Sequence, residues 1–163
     1  MILNLQEIFN SQKLLDQSIS KAHNIIVNDE IIDKQIIALL VEIGEFSNEI
    51  KTFKYWKKDQ KRDETKILEE YADVIHFFIS LGIKYNMNPQ IEVPIFQEDI
   101  NTNIIHIYNN IMLFWQSRSL SDLESAFKIF LSLVQWLGYE YKTILDSYYK
   151  KMQINFERIQ NNY

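Results

Sequence analysis

The sequence predicts an all-α protein, a bundle of about six helices, and three observations support this. Only three glycines and two prolines occur in 163 residues, and turns depend heavily on those two residue types. Apolar residues recur at the three- and four-residue spacing of a helix face. The length of 163 residues suits one domain, residues 1–163, whose core is large enough to need no disulfide.

Composition excludes several classes of protein. The chain has no cysteine, which rules out disulfides and thiolate metal sites and fits a cytoplasmic location. Its N-terminus has neither a basic start nor a long apolar run, so we expect no signal peptide. No uncharged apolar stretch reaches the roughly 18 residues of a membrane span, so we expect no membrane contact. The net charge of −5 argues against a nucleic-acid polymer as partner.

The first predicted helix covers about residues 4–24, and the second runs from about Glu30 to Trp56. Apolar residues keep helical spacing along the whole second segment, at Ile36, Ile37, Leu40, Ile43, Phe46, Ile50 and Phe53. The polar sequence KKDQKRDET follows and predicts a link.

Asp63 or Thr65 can cap a third helix that ends near Tyr85. This helix is apolar nearly all round, so we expect it to be central and buried. Both prolines fall in the next segment, NMNPQIEVPIFQED, which predicts a loop.

Three further helices complete the predicted bundle. The fourth covers about residues 97–117. The SDLE sequence that begins at Ser121 is typical of a capping box and predicts the start of the fifth. Gly138 suits the end of that helix, and the sixth runs over about 141–159.

Five carboxylates lie at helical spacing on the second and third helices. Glu42, Glu45 and Glu49 form one acidic stripe, and Glu70 and Asp73 form another, because residues three or four apart share a helix face. No lysine or arginine lies within 35–50 or 67–83. Like charges at the edge of an apolar core need a positive partner.

A hard divalent cation, Mg²⁺, meets that need, because it prefers carboxylate and phosphate oxygens. Such ions activate a water and screen the charge of a pyrophosphate leaving group. Acidic pairs are also common on solvated helix faces. The spacing alone therefore leaves a metal site and a solvent-facing stripe both open.

The pattern of Glu42 and Glu45 followed by Glu70 and Asp73 resembles the signature of the all-α nucleoside triphosphate pyrophosphohydrolases. This superfamily includes MazG-like enzymes, dCTP pyrophosphatases and the dimeric dUTPases. The resemblance implies that Glu42, Glu45, Glu70 and Asp73 are catalytic and bind Mg²⁺, with Glu49 either as a further ligand or as a group that supports the ligands from behind.

Flanking segments resemble the dimeric dUTPases in particular. LLVEIGEFSNEIKTFKYWK and ILEEYADVIHFFISLG are similar to the metal helices of that family, and SQKLLDQSI is similar to its N-terminal base-pocket helix. The C-terminal motif is similar over LGYEYKTILDSYYKKMQINFERIQNNY. The resemblance implies substrate-binding roles for Gln12, Asp16, Lys54, Trp56, His76, Lys151, Asn155, Arg158 and Tyr163.

The chemistry of these side chains suits a nucleotide. An amide such as Gln12 can donate to and accept from a uracil edge, and His76, one turn after Asp73, can orient a carboxylate. Lys151 and Arg158 are expected at phosphate oxygens, and Asn155 and Tyr163 at sugar or phosphate.

The C-terminal motif departs from the family pattern at three positions. The family usually has Lys-Asn, Arg-Gln and Gly-Tyr, whereas this chain has Met152 after Lys151, Ile159 after Arg158 and Asn162 before Tyr163.

The resemblance implies a homodimer that hydrolyses dUTP to dUMP and pyrophosphate, with dUDP left open as a second substrate. Two alternatives also stay open. One is a MazG-like or dCTP pyrophosphohydrolase with another base preference, and the other is a non-catalytic nucleotide-sensing module.

Overall fold

The computed structural model describes residues 1–58 and 61–161. Six α-helices dominate these ranges: α1 (Gln6–His23), α2 (Asp29–Ile50), α3 (Glu64–Lys84), α4 (Ile100–Ser117), α5 (Leu120–Leu137) and α6 (Tyr141–Gln160). The predicted all-α bundle is confirmed. No helix in the described part of the chain is long and apolar enough to cross a membrane.

Two short strands accompany the helices, and the sequence reading missed both. Strand β1 (Ile2–Asn4) pairs antiparallel with β2 (Gln90–Glu92), with Leu3 opposite Ile91. Helix α1 therefore starts two residues after the expected start at about residue 4, and the segment expected to be a loop contains a short strand. Three residues are too few to show an alternating pattern, and the pairing joins segments far apart in sequence.

Helix α2 ends at Ile50, not at Trp56 as expected. Lys51 takes a left-handed backbone conformation with φ of 63°, and its N–H donates to the Ser47 carbonyl. The Lys51 ammonium also donates to the Lys61 carbonyl at 2.7 Å. No glycine or proline marks this end, and apolar residues keep helical spacing as far as Phe53. The sequence pattern therefore predicted a longer helix than the structure has.

Helix α3 is the central helix, as its apolar composition predicts. Asp63 caps it by accepting from the N–H groups of Thr65 and Lys66, which confirms one of the two predicted caps. Along its length α3 packs against α1, α2, α5 and α6. Tyr71, fully buried, donates a hydrogen bond to the Phe130 carbonyl at 3.0 Å.

The turn between α4 and α5 differs from the predicted capping box. The cap residue of α5 is Ser119, and Ser121 lies inside the first turn. The helix starts early because Arg118 ends α4 with φ of 55° and reverses the chain at once. Gly138 ends α5 with φ of 75°, as expected for a residue that adopts this conformation without strain.

Packing of α2 against α3 determines where the acidic side chains lie. The rings of Phe46 and Tyr71 meet edge to face at 5.6 Å, and both rings contact Phe130. Phe46 and Tyr71 are fully buried, so the two helices cannot rotate without opening the core. The next face of each helix, which carries the carboxylates, is thereby fixed in orientation.

Candidate active site

Three carboxylates from α2 and α3 lie together. One oxygen from each of Glu42, Glu45 and Glu70 lies within 4.8 Å of the others. On α2 the neighbouring Ile43 and Phe46 are fully buried, which turns Glu42 and Glu45 toward the same side. The predicted facing of the two acidic stripes is therefore seen for these three residues, which we call the carboxylate trio.

The trio carries mutually repelling charges at a half-buried site. Burial raises the pKa of Glu42 to about 7, and the carboxylates of Asp73, Glu45 and Glu70 add to the rise. Burial likewise raises the pKa of Glu70 to about 7, helped by Asp73 and Glu45. Glu42 and Glu70 therefore hold their protons more tightly than a free carboxyl does, and a cation that binds these two groups must displace those protons.

Asp73 lies near the trio but contacts a lysine. Its Oδ2 is 2.6 Å from the Lys151 ammonium, which also lies 3.1 Å from Glu69. Burial raises the pKa of the Asp73 carboxyl, and the Lys151 hydrogen bond opposes the rise. Burial alone would lower the pKa of Lys151, but its hydrogen bonds to Asp73 and Glu69 raise it overall. Lys151 therefore stays cationic and joins α6 to α3.

Glu49 occupies a different position from the trio. It lies one turn beyond Glu45 and lines a small recess with Val41, Gly44 and Asn48. Glu45 and Glu70 also border this recess. Glu49 is therefore adjacent to the trio and not a member of it.

A cavity of about 810 Å³ lies between α1, α2, α3 and α6 and joins most of the predicted site residues. The trio, Asp73 and Lys151 line it, and so do Gln12, Asp16 and His76. A cavity of this size can hold a nucleotide.

Gln12 is the centre of a buried hydrogen-bond network in this cavity. Its amide nitrogen donates to Asp16 at 2.8 Å, and its amide oxygen accepts from Tyr148 at 2.9 Å. The same oxygen lies 2.7 Å from Nδ1 of His76, whose ring stacks on Tyr148. Burial lowers the pKa of His76 to about 4, so the ring is neutral at physiological pH. The network holds the Gln12 amide in one orientation.

Three polar residues that the sequence reading did not single out extend this network. Ser80 donates to Asp16 at 2.7 Å, Lys84 donates to Ser80 at 2.9 Å, and Gln35 donates to Ser80 at 3.2 Å. Ser80 and Lys84 follow His76 at intervals of four, so they share its helix face. That four-residue spacing could have indicated a polar stripe on α3, but the many apolar residues around it made the helix read as entirely buried.

The C-terminal helix contributes Asn155 and Arg158 to the cavity lining. Of the three departures from the family motif, Ile159 also lines the cavity, and Met152 packs against the core. Asn162 and Tyr163 lie outside the described residues.

Lys54 and Trp56 do not line the cavity. The Lys54 ammonium donates to the Asn48 side chain and lies 5.5 Å from the centre of the Phe53 ring. Trp56 is 59% exposed and packs edge to face with Tyr55. Their predicted contacts with a substrate remain predictions.

The all-α bundle and its carboxylate trio fit a nucleotide pyrophosphohydrolase. The family model described as dUTPase matches residues 4–163, and the chain belongs to that family. It is an enzyme, a nucleoside triphosphate pyrophosphohydrolase that acts as a dUTP diphosphatase. A search of curated proteins found no match.

Proposed function

We propose that the chain hydrolyses dUTP to dUMP and pyrophosphate with Mg²⁺ held by Glu42, Glu45 and Glu70. The observation that carries the proposal is the grouping of three carboxylate oxygens within 4.8 Å in the cavity that also contains Gln12. Asp73, three residues after Glu70 on α3, is proposed as a further ligand, and a metal-binding role for Glu49, outside the trio, remains a prediction.

The residues present fit a hard divalent ion. All donors are carboxylate oxygens, which Mg²⁺ prefers. Burial is the main cause of the raised pKa of Glu42 and Glu70, and the neighbouring carboxylates that add to it carry charge that a cation would neutralise. Once bound, Mg²⁺ would polarise phosphoryl oxygens and offset the charge of the leaving pyrophosphate.

The protein's own groups supply binding and orientation. Gln12, held by Asp16, Tyr148 and His76, would offer the base edge the second N–H of its amide nitrogen, because its oxygen already has two partners. His76 positions Gln12 through its Nδ1 contact. Because these groups are already ordered, substrate binding does not lose the entropy that it would lose in ordering a flexible site.

Charged and polar groups of α6 are assigned to the triphosphate and sugar. Lys151 and Arg158 would meet phosphate oxygens, and Asn155 and Tyr163 would contact sugar or phosphate. The roles of Lys54 and Trp56 at the substrate remain predictions, because neither residue lines the cavity of its own chain.

We also propose a homodimer in the cytoplasm. Exposed apolar residues on α2 and α4 support the dimer, since a monomer gains nothing from leaving them in water; they include Ile37, Val41, Ile105, Met112 and Trp115. Light scattering is expected to give twice the chain mass of 19.6 kDa, and Val41→Lys is expected to shift the mass toward one chain. A single-chain mass for the unsubstituted protein contradicts the dimer.

A panel of nucleotides tests the reaction. Purified protein is incubated with Mg²⁺ and dUTP, dUDP, dCTP, dTTP or dATP, and pyrophosphate or phosphate release is measured, with EDTA as the control. We expect release from dUTP that EDTA abolishes. Faster turnover of dCTP would assign another base preference, and Mg²⁺-dependent binding of dUTP without turnover would indicate a sensing module.

A further inference from the structure

The sequence-based assignments of Lys151 and Asp73 compete with the contact that the structure shows between these two side chains. The family resemblance places it at phosphate oxygens and places Asp73 at a metal. In the structure these two side chains hold each other, with the Lys151 ammonium 2.6 Å from Asp73 Oδ2. Lys151 keeps a third N–H and Asp73 keeps its second oxygen, so the two assignments compete through repulsion between the ammonium and a metal ion and not through a shortage of atoms.

The Lys151 contact is a built feature and not a surface ion pair. The Lys151 side chain is 11% exposed and that of Asp73 is 15% exposed. Lys151 also bridges to Glu69 at 3.1 Å, and Glu69 and Asp73 are four residues apart on one face of α3. The ammonium therefore sits between two carboxylates, as a bound cation would.

A divalent ion on Asp73 would lie beside this ammonium. Mg²⁺ binds carboxylate oxygens at about 2.0–2.1 Å, so ion and ammonium would share one oxygen neighbourhood and repel each other. The carboxylate trio differs in degree. The Lys151 charge acts on Glu42 and Glu70, but no member of the trio pairs with Lys151 among the ion pairs of the described residues.

A triphosphate offers Lys151 an alternative partner. It carries several negative oxygens, and lysine acts toward phosphate as a mobile point charge on a flexible stem. Lys151 and Arg158 line the same cavity as Asp73, and the Arg158 charge already acts on the Asp73 carboxyl. Phosphate oxygens that enter there would draw the ammonium away from Asp73.

Resting on the proposed function, we propose that Lys151 is an exchangeable counter-cation that completes the metal site only when nucleotide is bound. Without nucleotide, Lys151 is paired with Asp73, and only the trio binds a divalent ion. When the triphosphate enters, Lys151 transfers to phosphate and frees Asp73 for metal. Lys151 thereby couples metal loading to substrate binding, and Glu69 is a positioning residue that holds it in the waiting position.

Mn²⁺ binding, followed by electron paramagnetic resonance of the free ion, tests the exchange. The unsubstituted protein is expected to bind Mn²⁺ at one class of site alone. With the non-hydrolysable analogue α,β-imido-dUTP it is expected to gain a further site, after subtraction of the Mn²⁺ that the analogue binds without protein. Lys151→Met is expected to show the further site without analogue. The affinity of this site for Mn²⁺ is expected to be at least about tenfold higher than in the unsubstituted protein without analogue, because a neighbouring positive charge is gone.

Three matched variants control the interpretation. Lys150→Met removes an equal charge from the exposed neighbour and is expected to bind Mn²⁺ like the unsubstituted protein. Adding Asp73→Asn to Lys151→Met is expected to remove the further site. Glu69→Gln loosens Lys151 without replacing it and is expected to shift Mn²⁺ binding in the same direction as Lys151→Met, by less.

The outcomes separate this inference from the proposed function. If Lys151→Met leaves Mn²⁺ binding unchanged or weakens it, Lys151 orients Asp73 and the exchange is refuted. The same holds if the analogue adds no site to an enzyme that turns over dUTP with Mg²⁺. A protein that binds no Mn²⁺ under either condition overturns the proposed metal site itself, and the exchange with it.

Discussion

Replacement of Glu42 by glutamine is expected to stabilise the metal-free protein at alkaline pH while it removes a metal ligand. The folded state raises the pKa of Glu42 from its ordinary 4.5 to about 7. Below about pH 4.5 both folded and unfolded states hold the proton. Between the two values the folded state keeps a proton that the unfolded state releases, so stability falls as pH rises and the loss is complete above about pH 7.

The size of the loss follows from the shift of the pKa. A rise from 4.5 to about 7 corresponds to roughly 3.4 kcal/mol, at about 1.36 kcal/mol for each tenfold change in proton affinity. Glu42 is only half-buried, and solvent screens its interactions, so we expect about 1–2 kcal/mol. For a chain of this length that is a rise of about 2–8 °C in melting temperature.

Thermal denaturation in EDTA near pH 5 and near pH 8 measures the effect. Glu42→Gln is expected to melt higher than the unsubstituted protein near pH 8 and at nearly the same temperature near pH 5. Excess Mg²⁺ is expected to reverse the order, because binding at about 100 times the Kd adds roughly 2.7 kcal/mol to a protein that binds the ion. Glu49→Gln, on the same helix but outside the trio, is the control, with an expected change within about 0.5 kcal/mol. Destabilisation of Glu42→Gln near pH 8 in EDTA, or a pH-independent gain, would refute the reasoning.

Three further predictions concern the core, a helix cap and the base pocket. Phe46→Ala empties a fully buried ring position and is expected to cost about 3–5 kcal/mol in urea denaturation, whereas Phe53→Ala, 45% exposed, is expected to cost far less; equal costs would contradict the assigned core. Asp63→Ala is expected to cost about 1 kcal/mol through loss of the α3 cap, and Ser121→Ala almost nothing, since Ser121 is not the cap of α5. Gln12→Ala removes an amide that anchors the polar network and is expected to raise KM for dUTP by roughly 10- to 100-fold. An unchanged KM would exclude a role of Gln12 in substrate binding.

Much of the fold was predictable because helix signals are local. The three-four apolar rhythm placed six helices, and Asp63 and Gly138 marked two of their ends as expected. The errors arose where long-range structure decides local conformation. Lys51 ends α2 in a left-handed conformation, and lysine is not a residue type that predicts such a helix end. Strand β1 forms only because β2 lies beside it.

The site was predictable in part for the same reason. Spacing places Glu42 and Glu45 on one face, and a second acidic pair on a buried helix indicated that the two faces meet. Spacing cannot give the identity of a partner on another helix. The contact of Lys151 with Asp73 and the link of Gln35 to Ser80 depend on how α6 and α2 pack against α3. No pattern within one helix contains that information.

Turnover of dUTP by Glu45→Gln, compared with Glu49→Gln, tests most directly whether the carboxylate trio performs the reaction. Both changes remove one negative charge from α2, and only Glu45 belongs to the trio. With Mg²⁺ present and folding verified by circular dichroism, Glu45→Gln is expected to lose at least about 100- to 1,000-fold in kcat, while Glu49→Gln loses much less. A folded Glu45→Gln protein that releases pyrophosphate at the unsubstituted rate would contradict the assignment of the trio as the catalytic metal site.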